Sequence, residues 1–333
     1  MKTLVYAAKN SDEKILRNSS SGGMFSALTE DFIRQGNAVI CTHYNYETDQ
    51  AEFHLVESLE ERDASRGSLY IQSNANETWG KANEWLKLHP DKRIMFFGVG
   101  CQAAAFQRYS KLKSIEDKVI LVDTVCHGSP SPAVWKKYIA SVKKGGVLSD
   151  LNFRDKKTGW SHSIGTAKVN GKEVSIHDYR RLYSSRNTLR PCCSKCPYTR
   201  IDRKTDITIG DFWHIENSMP DFQDEKGVSL VILHTEKGKS LFDSVGHYCI
   251  IRESNIKDCW QMNLEKPTEH ATTRSQFWHD YNTKDIRHVM KKYGEVSMIS
   301  RVKNMIKELI GGGTRQVVSS NPFLSPVMLP AVS

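Results

Sequence analysis

No run of apolar residues in this 333-residue chain approaches the ~20 that an α-helical membrane span requires. The opening, Met1-Lys-Thr-Leu-Val-Tyr-Ala-Ala-Lys-Asn, turns charged again after a brief apolar stretch, too short for a secretory signal. Internal repeats are missing, which removes solenoids and propellers. No recognised nucleic-acid motif accompanies the basic residues, so nucleic acid is not an expected partner. Eight cysteines without an export signal point to reduced thiols and metal ligation, not to a disulfide framework, and to the cytoplasm as the compartment. What is present, 39% apolar and 26% charged residues, is the composition of an ordinary globular protein of about two domains.

Four of the cysteines stand in telling places. Cys101 ends Arg-Ile-Met-Phe-Phe-Gly-Val-Gly-Cys at 93–101, and Cys126 ends Val-Ile-Leu-Val-Asp-Thr-Val-Cys at 119–126; each follows a buried-looking strand. Ligands in open α/β sheets sit beyond the carboxyl ends of strands. If the two strands are neighbours, roughly 5 Å apart, their thiols share one rim. Cys193 and Cys196, in Pro-Cys-Cys-Ser-Lys-Cys-Pro-Tyr, then close a four-sulfur cage suited to an iron–sulfur cluster or to zinc. Cys192 is taken as a spare thiol, although any of the three in that run could ligate. A redox dithiol is the competing use of Cys-x-x-Cys, but that motif normally opens a helix after a strand, whereas prolines bracket this one. Cys41, Cys249 and Cys259 read as ordinary buried residues.

The expected fold is α/β in a mixed sense: strand–helix units with the cofactor site at strand carboxyl ends, then a β-rich portion. A helix begins after Ser21-Gly22-Gly23, with Met24, Phe25, Leu28 and Phe32 on one stripe. Residues 37–42 form a strand, Ser58-Leu-Glu-Glu61 is a capping box, and Trp79, Ala82 and Leu86 line a helix ending near His89-Pro90. Ser131-Pro132 starts a helix carrying Trp135, Tyr138, Ile139 and Val142, which Gly145-Gly146 ends. Asn170-Gly171 turns a hairpin, and residues 205–211 and 228–233 are further strands. Beyond about 260 the pattern weakens, apart from an amphipathic helix at 298–309 stopped by Gly311-Gly312-Gly313 and an aperiodic tail.

Two motifs admit other uses. Gly98-x-Gly100-x-x-Ala103 follows a strand and opens a helix in the dinucleotide manner, with Asp123 where a ribose-binding acid would fall, so a nicotinamide dehydrogenase is one alternative. A thiolate at Cys101 would repel a pyrophosphate, however, while a helix N-terminus favours a cluster-bound thiolate. A non-enzymatic zinc protein is another alternative. Ser19-Ser20-Ser21-Gly22-Gly23 makes a phosphate cradle or a plain cap, and Arg66-Gly-Ser-Leu-Tyr-Ile-Gln-Ser73 offers a cation, hydroxyls and a ring. The net charge of +9 gathers in Arg180, Arg181, Arg186, Arg190, Lys195, Arg200, Arg203 and Lys204 around the Cys-x-x-Cys loop, either as a solvated face or as a dock for an acidic partner.

Taken in order, these segments, together with Val-Cys-His-Gly-Ser-Pro-Ser at 125–131, Phe-Arg-Asp-Lys-Lys-Thr-Gly-Trp at 153–160 and Asp-Ile-Thr-Ile-Gly-Asp-Phe-Trp at 206–213, resemble the beta-subunit family of coenzyme F-420 hydrogenases and dehydrogenases. The resemblance covers roughly residues 1–250 and implies an iron–sulfur flavoprotein oxidoreductase or electron-transfer subunit with FAD and one [4Fe-4S] cluster. It implies Cys101, Cys126, Cys193 and Cys196 as cluster ligands. It also implies that Ser20, Ser21, Gly22 and Gly23, with Ser68, Tyr70, Gln72 and Ser73, help hold the flavin. His127 becomes a weak candidate for a proton donor, with a local structural role as the alternative. A ferredoxin-like acidic protein is the implied electron partner, and coenzyme F-420 itself is not required. The expected organisation is a flavin-contacting domain at 1–88, a cluster- and flavin-binding domain at 89–260, and a helical extension with a tail at 261–333. Gly100 replaces the proline common in the family before the first cluster cysteine, and the extra ferredoxin-like module of many relatives is missing.

Overall fold

The computed structural model describes residues 3–294. Strands and helices alternate from the start: β1 (Leu4–Asn10), α1 (Glu13–Asn18), α2 (Met24–Arg34), β2 (Ala38–Asn45), β3 (Gln50–Val56), α3 (Leu59–Ala64), β4 (Ser73–Asn74) and α4 (Thr78–Leu88). Next come β5 (Ile94–Val99), α5 (Gly100–Leu112), β6 (Val119–Thr124), α6 (Pro132–Lys143), β7 (Leu148–Asp155), β8 (Ile164–Val169), β9 (Lys172–Ser175) and α7 (His177–Ser184). The order closes with β10 (Ile207–Asp211), β11 (Ser229–Leu233), α8 (Glu236–Ser244), β12 (Cys249–Ser254), α9 (Arg274–Thr283) and α10 (Ile286–Val289).

Nine strands form one mixed sheet in the order β12-β1-β11-β10-β6-β5-β2-β3-β4. Its centre, β10, β6, β5 and β2, is parallel, while β3, β11, β1 and β12 add antiparallel flanks. Period-two burial explains the layers. Ile94, Phe96, Val119 and Leu121 point to one face, against Ala103 and Phe106 of α5 and Trp85 of α4. Met95, Phe97, Ile120 and Val122 point to the other, against Met24, Leu28 and Phe32 of α2. The division expected at 88/89 falls between α4 and β5, and the sheet runs across it.

A second sheet, β7-β8-β9, packs with α6, α7, α9 and α10 around Trp135, Tyr138, Phe153, Tyr179 and Phe277. Its hairpin turns at Asn170 (φ 50°) and Gly171 (φ 76°), the positive pair that Asn-Gly supplies most readily. Ser58 and Glu61 close the expected capping box on α3. The helix expected at 298–309, the glycine stop after it and the tail lie outside the described residues.

Candidate functional site

Because β2, β5, β6 and β10 are parallel, their carboxyl ends open on one rim. Val99 lies opposite Thr124 in the β5–β6 register, so Cys101 follows in the first turn of α5 and Cys126 in the loop after β6. An antiparallel bridge between Pro130 and Leu189 brings in the Cys-x-x-Cys loop. Hydrogen bonds from the Ser131 N–H to the Thr188 carbonyl (3.0 Å) and from the Arg190 N–H to the Ser129 carbonyl (2.9 Å) reinforce it. The N–H of Gly128 then donates to Cys126 Sγ and that of Ser129 to Cys193 Sγ, each at 3.3 Å. A Cβ on Gly128, whose φ is +114°, would press on Leu189 at 2.9 Å and reach Cys193 Cβ at 3.4 Å, so only glycine lets the two loops close up.

Cys101, Cys126, Cys193 and Cys196 thus lie close enough to affect one another, with Cys192 beside Cys193 and both Cys101 and Cys192 exposed. Burial first, then repulsion from Cys196, Cys193 and Cys192, pushes the Cys101 thiol up to about 11. Burial pushes Cys126 up to about 12, with Cys101, Cys193 and Cys196 repelling its charged form. Clustered thiols of this kind hold their protons until a cation compensates the thiolates. The sulfurs converge without closing into a single-ion cage: among the described residues no group of three or more His, Cys, Asp or Glu side chains is placed to hold a metal ion.

Beside the thiols lies a cavity of about 300 Å³, lined in part by residues 19–21, 65–73, 97–99 and 124–130. Ser20, Ser21, Gly23, Ser68, Tyr70, Gln72 and Ser73 all line it, and the Ser68 N–H donates to Ser20 Oγ at 2.7 Å, joining the two segments. Gly22 does not line it. Its N–H is taken by Ser229 Oγ (2.9 Å), and a Cβ there would sit 2.3 Å from the Ala8 carbonyl oxygen, so this glycine is required by strand contact. Gly23 caps α2 at φ +84°. Ser21 Oγ donates to the Val228 carbonyl (2.9 Å), the Gln72 amide oxygen accepts from Arg190, and Ser73 Oγ meets Thr42 Oγ1 at 3.1 Å.

Several site residues were not singled out from sequence. Arg154, Tyr183, Asp211, Trp213 and Gln261 also line the cavity. Asp211 holds Arg154 Nη1 at 2.6 Å and accepts the Trp160 indole N–H at 2.7 Å. The ring of Trp160 stacks on that of Trp213 at 4.8 Å and 7°. Arg154, Asp211 and Trp213 fall in the segments 153–160 and 206–213 that carry the resemblance, but nothing in their spacing showed that the two segments pair. His127 lines the cavity, and burial, against the pull of Asp211, lowers it to about 4, leaving a neutral ring near pH 7.

Two expectations change. Asp123, the supposed ribose acid, is fully buried; it pairs with Arg203 at 2.7 Å and accepts from Thr205 (3.1 Å) and Thr208 (2.6 Å), so it has no capacity left for a ribose. Gly100 has a packing reason instead, since a Cβ would stand 3.0 Å from Tyr198 Cβ and 3.1 Å from Asp123 Oδ2. The basic skirt is also smaller than its sequence. Arg180 is buried and the Arg203 side chain is 5% exposed, which leaves Arg186, Arg190, Lys195, Arg200 and Lys204 outward, Arg200 paired with Asp202, and Arg181 half-buried beside Asp178.

Two family models match the chain: coenzyme F420 hydrogenase/dehydrogenase beta subunit, N-terminal part over residues 5–78 and C-terminal part over 91–258. The chain belongs to this family. As a hydrogenase/dehydrogenase beta-subunit homologue it is an oxidoreductase subunit. Its fold is similar to a chain of the xenon-derivatised F420-reducing [NiFe] hydrogenase complex from Methanosarcina barkeri, at 16% identity and a TM-score of 0.53 over 87% of this chain and 90% of that one. No curated protein matches it. Among the described residues of this beta-subunit homologue, no helix is long and apolar enough to cross a membrane.

Proposed function

We propose that this chain is an iron–sulfur flavoprotein that moves electrons between a substrate at a bound FAD and a [4Fe-4S] cluster served by an acidic, ferredoxin-like protein. One observation carries it: residues 126–129 belong both to the thiol group and to the cavity wall, so two cofactors would share a boundary. Cys101, Cys126, Cys193 and Cys196 would hold the cluster, with the Gly128 and Ser129 N–H groups bonding to ligand sulfurs. Ser20, Ser21, Gly23, Ser68, Tyr70, Gln72 and Ser73 would hold the flavin, Ser20 and Ser68 being already linked. When bound, a flavin exchanges two electrons with a substrate and a cluster passes them singly.

The residues do the rest. Phe97, Ile71 and Tyr183 exclude water from the cavity, and neutral His127 can orient a ligand by hydrogen bonding without carrying charge. The outward cations Arg186, Arg190, Lys195 and Lys204 would steer the acidic partner to the cluster side. In this scheme residues 1–88 bring the flavin turns and 89–260 the cysteines.

Anaerobic purification followed by an optical spectrum and iron, sulfide and flavin counts tests the proposal. About four irons, four sulfides and one flavin per chain are expected. A colourless protein with one zinc would overturn it.

A further inference from the structure

One wall of the cavity carries Arg154, with Arg180 close by. Arg154 and Arg180 are each more than nine-tenths buried, at 6% and 8% exposure. Arg154 pairs with Asp211 and also bonds to the Tyr70 hydroxyl, whereas Arg180 Nη1 donates to the carbonyl and hydroxyl of Ser163. Between this wall and the serine turn, Lys156 Nζ donates to the carbonyls of Leu16 and Ser21, both at 2.9 Å, and of Lys226. The acidic groups felt there are Asp211 and Asp224, and Asp224 is already shared by Lys9 (3.2 Å) and Lys226 (3.6 Å). Two buried guanidiniums, with the half-buried Lys156 beside them, therefore share the carboxylate of Asp211.

Buried charges in folded proteins are normally paired. Here the Nε groups of both Arg154 and Arg180 are buried without a hydrogen-bond partner among the described residues. Arg154 itself lines the cavity, and its guanidinium lies 5.4 Å from the centre of the Trp213 ring. Trp213 is fixed by its stack on Trp160, which Asp211 anchors. Arg180 stands behind Tyr70, 5.9 Å from the ring centre. A cation, a fixed indole and the phenols of Tyr70 and Tyr183 together make a pocket end for something flat and negatively charged.

We propose that this end is the substrate's anion subsite: it takes a small substrate bearing a carboxylate or comparable oxyanion, held by Arg154, with its planar part against Trp213. The assignment rests on the flavin occupying the serine-lined end of the same cavity.

Benzoate, and benzamide as its neutral match, titrated into the flavin-loaded full-length protein, test it by tryptophan fluorescence and flavin absorbance. Benzoate should bind at least about tenfold more tightly than benzamide, the size of a charge-assisted hydrogen bond. Arg154→Gln should erase that preference. Arg180→Gln breaks no ion pair and should weaken benzoate severalfold, so a misfolded Arg154 variant does not remove the test. Equal binding of the two probes, or an unchanged Arg180→Gln titration, would overturn the subsite. Benzoate that binds only flavin-free protein and is displaced by FAD would also overturn it, by giving the anion to the cofactor. A protein that takes up no flavin defeats the flavin assignment, while the benzoate–benzamide comparison still judges the cation pocket.

Discussion

Arg203→Gln should be far more damaging than its place in a basic surface loop implies. The Arg203 side chain is 5% exposed and that of Asp123 is 1% exposed, with 2.7 Å between them. Removing one partner of a buried pair costs about 3–5 kcal/mol, because the other charge stays buried and unmatched. Asp123 keeps the hydroxyls of Thr205 and Thr208, so the lower end, about 3 kcal/mol, is expected. Asp123→Asn should cost less. Arg203 would still donate to the carbonyls of Arg200 (2.9 Å), Thr124 (3.2 Å) and Asn263 (3.4 Å). The double variant should recover part of the loss, since it leaves no lone charge. Urea unfolding followed by far-ultraviolet circular dichroism gives all three values. Arg203 also ties the chain after Cys196 to the strand end before Cys126, so iron content should fall with it. An Arg203→Gln protein within about 1 kcal/mol of the parent would refute the buried-pair account.

Serine at Cys101, Cys126, Cys193 or Cys196 should each lower the iron-to-protein ratio, whereas Cys192→Ser should leave it unchanged; metal analysis decides. Gly22→Ala should destabilise the protein by at least about 2 kcal/mol, because its methyl group would meet the Ala8 carbonyl at 2.3 Å; a thermal melt reads it. His43 stacks on His54 at 4.7 Å, and burial, followed by repulsion from His54, lowers it from 6.5 to about 4. The folded protein binds that proton less readily than the unfolded chain, so stability should fall as pH drops from about 6.5 to 4, and His43→Gln should flatten the slope. Lys195→Glu with Lys204→Glu should slow reduction by an acidic ferredoxin at low salt and converge on the parent rate at high salt.

The rim was legible because its signals are local. A buried strand followed by a small turn and a cysteine is visible in both 93–101 and 119–126, and parallel neighbours place such turns together. The rest depends on which distant segments meet. Arg180 and Arg203 looked like solvated charge because an arginine in a basic stretch carries no mark of its burial; one sits behind Tyr70 and the other on Asp123. The dinucleotide pattern around Gly98 misled for a related reason. Gly100 is small to clear Tyr198 and Asp123, and a Cβ on Gly98 would touch the Phe96 ring at 2.8 Å, so Gly98→Val would disturb packing whatever the ligand. α7 escaped notice because its buried Tyr179, Leu182 and Tyr183 are interrupted by Arg180 and Arg181, and α9 because its aromatics lie among polar residues. The contact between Trp160 and Asp211 spans a loop of fifty residues that no spacing rule foretells.

The sheet order has a bearing on how the protein is made. Among the described strands, β1 is the first in chain order and pairs with β11 and β12, which come about 220 residues or more later. Until residue 254 has emerged, Val5 and Ala7 lack the neighbours that cover them, and Gly22 has no Ser229 to rest on. Such late closure is slow and leaves apolar edges open meanwhile. Low growth temperature or added chaperone during expression should therefore raise the yield of folded protein.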